Sequence, residues 1–152
     1  MHIGNYLALA HHSEEQLAGA LRQVADHHHD EPDIEQICKL LASWSTRHVT
    51  LLKPFIERYS EEKDDEPERL TQTLFSEPRN GSLALLRDLH DLWLMANEAD
   101  LCWIVLSQAA QGLHDKELEG TVARCQAETK RQVAFLLTRI KVAAPQTIIA
   151  AA

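Results

Sequence analysis

Between Leu83 and Ala110 the chain runs without a Pro or Gly, and it places apolar side chains on nearly every side of the helix such a run must form. A surface helix keeps a polar stripe; here Leu85, Leu86, Leu89, Leu92, Trp93, Leu94, Met95, Leu101, Trp103, Ile104, Val105 and Leu106 leave almost none. Arg87, Asp88, His90, Asp91, Glu98 and Asp100 interrupt the run before it reaches the ~20 predominantly apolar residues of a bilayer crossing. The segment therefore reads as the central helix of a bundle. Glu98 in its middle calls for a buried partner.

The rest of the chain fits that frame. Its 152 residues suit one domain, 1–152, and only five Gly and five Pro occur, which with abundant Leu, Ala, Glu and Gln favours an all-α class. A formal charge of −8 argues against nucleic acid or an anionic membrane as partner, since both are held by clustered Lys and Arg. Cys38, Cys102 and Cys125 stand far apart inside apolar helical patterns and read as reduced core residues. Met1 to Ala10 lacks the basic start and apolar run of a signal peptide, so a cytoplasmic location is expected.

Helical spacing recurs three more times. Leu7, Ala10, Glu14, Leu17, Leu21, Val24 and His28 mark a helix from about Asn5 to His29, although Ser13 with Gln16 also fits a capping box and a later start. Ile34, Ile37, Cys38, Leu41, Trp44, His48, Leu52, Phe55 and Tyr59 mark a second, from about Ile34 to Tyr59, with Asp33 as its expected cap and Pro54 expected to bend it. Leu118, Val122, Cys125, Thr129, Leu136 and Ile140 mark the last, from about Lys116 to Val142, with Pro145 as its stop. Asp30 to Asp33 and Gly112 to Asp115 are short turns. The connection from about 60 to 82 is long, with a helical turn expected through Leu70 and Leu74 and the turn signal Asn80-Gly81 near its end. Short, long and short loops imply two antiparallel helical hairpins joined by a crossover.

Glu14 and His48 are each seventeen residues from the first turn, near residue 31, so they stand at one height on adjacent helices. Glu98 and Arg131 are equidistant from the second turn to within about a residue, with Glu128 one turn from Arg131. Two helices thus carry a carboxylate, and two carry polar pairs at (i, i+3): Ser45 with His48, and Glu128 with Arg131. In this the chain resembles the ferritin-like superfamily, whose dinuclear metal sites take a Glu from each of two helices and a Glu-x-x-His pair from each of the other two. The resemblance covers all four helices, with 31 residues from Glu14 to Ser45 and 30 from Glu98 to Glu128. It implies a ferritin-like four-helix bundle and a metal set of Glu14, His48, Glu98 and Glu128 holding iron or manganese.

Two positions depart from that pattern. Ser45 replaces a bridging carboxylate, and Arg131 replaces an imidazole with a permanent cation that cannot bind metal. The buried carboxylates then need a positive partner, and Arg131 buried beside Glu98 or Glu128 would supply it in place of an ion. The favoured expectation is a polar network without a cofactor; the alternative is a metal-binding ferritin-like oxidoreductase or iron-handling protein. The other histidines read as incidental: His27, His28 and His29 as a surface triplet at a helix end, and His90 as a core histidine. His11 with Glu15 and His27 with Glu31 have the His-x-x-x-Glu spacing of hemerythrin-like proteins, but the second helix offers only His48. No nucleophile elbow or phosphate-cradling Gly-rich loop is present, so the reading leans away from an enzyme.

Two surface expectations complete the reading. Leu85, Leu92, Trp103 and Leu106, taken as facing outward from helix three, exceed the apolar patch of a soluble monomer and imply a homodimer. The apolar stretch Thr147 to Ala152 is expected to pack on its own bundle or on a neighbouring subunit.

Overall fold

Each expected stripe forms a helix in the computed structural model, which describes residues 1–64 and 75–150. The helices are α1 (Ile3–His27), α2 (Pro32–Arg58), α3 (Ala84–Gly112) and α4 (Lys116–Pro145), and a π-helical turn, Gln146–Ala150, continues α4. No strand occurs among the described residues. The helical turn expected at Leu70 and Leu74 lies outside them. α1 packs on α2 and α3, α3 packs on α4, and α4 also touches α2.

The buried stripes step by threes and fours. α1 buries Leu7, Ala10, Glu14, Leu17, Leu21 and Val24; α2 buries Ile34, Cys38, Leu41, Ser45, His48, Leu52 and Phe55; α4 buries Leu118, Val122, Cys125, Thr129, Gln132 and Leu136. Burial of these apolar faces drives the assembly, at roughly 1.5–3 kcal/mol for each large side chain. α1 starts well before Ser13, because the Leu7 and Ala10 face has a partner to bury against. α2 starts at Pro32, and Glu31 rather than Asp33 is its cap residue, with no side-chain cap bond. Pro fits the first helical turn because its missing N–H would be unpaired there anyway.

The long connection is tied to both ends of α1. At one end, Glu62 O accepts from Gly4 N at 2.7 Å, and Asn5 exchanges hydrogen bonds with the Asp64 side chain and backbone at 2.9–3.1 Å. At the other, Phe75 is buried in the core, Arg79 O accepts from His27 Nε2 at 2.7 Å, and Gly81 takes φ +99°, which favours Gly at the Asn80-Gly81 turn. Asp88 of α3 is fully buried and accepts from Arg79 N and Nη1, each at 3.1 Å, and from His28 Nε2 at 2.8 Å. The expected surface histidine triplet is thus corrected. His28 is a buried partner of Asp88 because the helical stripe carries it inward, whereas His90 is exposed.

α3 also departs from expectation. Leu92, Trp103 and Leu106 are fully buried and Leu85 packs on the core. The exposed apolar residues are Leu94, Leu101, Ile104 and Val105, with Leu101 62% exposed. The helix does have two faces, but both are apolar, so composition could not say which one turned inward.

Candidate functional site at the bundle centre

The apolar core is split in two. One cluster includes Leu17, Leu41, Ala42, Ala96 and Leu136. The other includes Ala10, Leu52, Cys102, Trp103 and Cys125. Between them α1 contributes Ser13 and Glu14, α2 contributes Ser45 and His48, and α4 contributes Thr129 and Gln132, all buried. A polar layer thus crosses the bundle.

His48 is its hub, and neither its side chain nor that of Glu14 is exposed at all. His48 Nδ1 lies 2.7 Å from Glu14 Oε2, and Nε2 lies 2.9 Å from Glu128 Oε1. A carboxyl oxygen at each ring nitrogen is the arrangement an imidazolium satisfies, since only that form donates from both nitrogens. Burial by itself would depress its pKa, but the hydrogen bonds and charges of Glu14 and Glu128 outweigh burial and hold it above the ordinary 6.5. On Glu128 burial again opposes the charges; Arg47 and His48 win and hold the carboxyl below 4.5. Arg47 closes the chain by an ion pair from its Nη2 to Glu128 Oε2. Two anions thus meet two cations, in a line from the buried core to the surface.

Trp103 stands edge-on to the His48 ring, with centroids 5.8 Å apart. Beside this line, Gln132 Nε2 donates to Ser45 Oγ and to Leu41 O, each at 2.9 Å. Glu14 Oε1, Ser13 Oγ and Gln132 Oε1 have no hydrogen-bond partner among the described residues. The three thiols are free and buried, and desolvation pushes each up to about 12, so they are inert at neutral pH.

Of the four residues carried over from the ferritin-like pattern, Glu14, His48 and Glu128 come together and Glu98 does not. Glu98 is half-buried, with its carboxyl pushed up by burial against the opposing charge of His12. The inward stripe of α3 passes instead through Met95, Ala99, Cys102 and Leu106. Arg131 is also corrected. It is exposed and lies over the Trp44 ring at 4.9 Å, because Gln132 takes the inward position on α4. The cation that reaches Glu128 is Arg47 from the opposite helix. Gln132 and Arg47 escaped the sequence reading, although the spacing Cys125, Thr129, Gln132, Leu136 does mark Gln132 as inward-facing.

The donor set does not suit a metal. Both imidazole nitrogens are committed to carboxylates, Glu128 is held by Arg47, and Ser45 is engaged by Gln132. Among the described residues, no group of three or more His, Cys, Asp or Glu is arranged to hold a metal ion. What the layer can do is fix the helix heights and hold a proton on a buried base. Comparison with family models, curated proteins and solved structures returns no match for this chain.

Proposed function

We propose that the protein is a ferritin-like bundle, two antiparallel hairpins joined by a crossover, whose centre is closed by an ionic network instead of a dinuclear metal site. It acts in the cytoplasm through association of its helix surfaces, with another copy or with a partner. The observation that carries this reading is the buried His48 ring bridging Glu14 and Glu128, with Arg47 paired to Glu128 at the outer end. A metal at this height would have to displace the proton from one ring nitrogen of His48 and break the Arg47 pair. The surface best suited to association is the exposed face of α3, with Leu94, Leu101, Ile104 and Val105, because contiguous apolar side chains of this size mark interaction sites.

One observation favours the metal-binding alternative: Glu14 Oε1 is buried without a partner, and a buried lone pair of that kind attracts a cation or a water. Elemental analysis of native protein, together with light scattering, tests both parts. The network reading expects substoichiometric iron and manganese and a dimeric mass that Leu101→Lys halves. Stoichiometric metal surviving dialysis would replace it with the iron-handling reading.

A further inference from the structure

The charge of the chain is unevenly placed. Of 15 Lys and Arg and 23 Asp and Glu, four of the basic residues, Lys130, Arg131, Arg139 and Lys141, and none of the acidic ones lie after Glu128. The same stretch is apolar. α4 with its π-helical extension runs from Lys116 to Ala150 and contains an 18-residue window of mean hydropathy 1.4, of which 11% is buried.

Of the two packings expected for Thr147 to Ala152, on the bundle or on a neighbouring subunit, the structure corrects the first for the described residues up to Ala150. Gln146–Ala150 has no buried residue, with Ile148 64% and Ile149 81% exposed. Leu137 and Val142 continue the exposed apolar surface along α4, and Lys130, Arg131 and Lys141 are exposed beside them.

We infer that this face of α4, from Lys130 to Ala150, docks onto an anionic lipid surface. Three observations select that occupant. A symmetric pairing of two such faces would set cations against cations with no acid to offset them, which disfavours a second copy. Lys side chains interspersed with apolar ones can lay their stems on the acyl boundary while their ammonium groups reach headgroup phosphates. Arg139 is bound to Asp33 at 2.6 Å and Glu31 at 3.3 Å, and Leu136 and Ala143 are buried. The helix up to Ala143 therefore stays on the bundle, while Ile148 and Ile149 enter the interface. The net charge of −8 is not decisive against this, since screening over roughly 8 Å at physiological salt leaves the local charge in control.

The test is co-sedimentation of the full chain with extruded vesicles of phosphatidylcholine containing 30% phosphatidylserine or none. The expected result is binding to the anionic vesicles alone, reversed by 0.5 M NaCl. Lys130→Gln and Lys141→Gln should each weaken partitioning roughly fivefold. Ile148→Ser with Ile149→Ser should abolish it, with unchanged thermal melting of all these exposed-site variants. Four outcomes overturn the inference: no sedimentation with anionic vesicles, equal binding to neutral ones, retention in high salt as for a spanning helix, or a fall in oligomeric mass caused by the Ile148 and Ile149 substitutions.

Discussion

The imidazole of His48 lies 2.7 Å from the carboxylate of Glu14, and neither side chain is exposed to solvent. A pair so placed gains Coulomb attraction in a low dielectric but loses the hydration of both ions. Breaking it and deleting it are therefore different experiments. His48→Leu leaves Glu14 buried without its cation and should cost about 3–5 kcal/mol. His48→Leu combined with Glu14→Leu removes both desolvated groups and should recover most of that loss. Urea denaturation of the two variants and of Glu14→Leu measures the coupling as a double-mutant cycle.

The pH dependence of stability has a definite sign. His48 is raised above 6.5 in the folded protein, so its contribution is complete below 6.5 and is lost as pH rises through the folded value. Glu128 is lowered below 4.5, so its contribution is present above 4.5 and is lost as pH falls through its folded value. Both are complete between those limits. The stability difference between the native sequence and His48→Gln should be largest near pH 5–6 and shrink under alkaline conditions. A difference that instead grew steadily from pH 6 to pH 9 would require a neutral His48.

Gly4 marks the tightest contact of the connection with α1. A Cβ there would stand 2.5 Å from Glu62 O and 2.8 Å from Lys63 Cβ, and the backbone carbonyl cannot swing away as a flexible side chain would. Gly4→Ala should therefore cost about 1–3 kcal/mol, the range for overpacking, and expose the 62–64 segment to proteolysis. Thermal melting and limited proteolysis report both effects. Gly120, where an added Cβ would meet nothing within 4 Å, is the control: Gly120→Ala in the second turn of α4 should be neutral or stabilising by up to about 1 kcal/mol.

The thiols provide a fourth check. Because Cys38, Cys102 and Cys125 are buried and free, with thiols pushed up to about 12, a thiol reagent at pH 8 should label none of them in the native protein and all three in guanidinium. Rapid labelling of native protein would place at least one of them at an accessible surface.

Much of the fold was legible because apolar residues spaced by threes and fours mark a helix whatever it packs against. α1, α2 and α4 follow from that pattern and α3 from its uninterrupted apolar run, and the inward positions of Glu14 and His48 follow from the stripes they share with Leu17 and Leu52. The pattern failed where both sides of a helix are apolar, as in α3, and where a long polar side chain takes an inward position, as Gln132 does. Arg131 was misplaced for the same reason. A fixed (i, i+3) template put it at the centre, whereas the stripe through Cys125, Thr129 and Leu136 admits its neighbour. Arg47 was illegible from its own helix, since it reaches Glu128 across a helix contact that no single-helix pattern contains.

A proton on both nitrogens of His48, held between two carboxylates at the centre of the bundle, is what the proposed ionic network requires. Nitrogen-15 NMR of the His48 side chain in native protein at pH 6 tests it most directly. Both ring nitrogens should be protonated, and added Fe(II) or Mn(II) should leave the spectrum unshifted and unbroadened. A ring with one unprotonated nitrogen that either ion perturbs at one equivalent would contradict it.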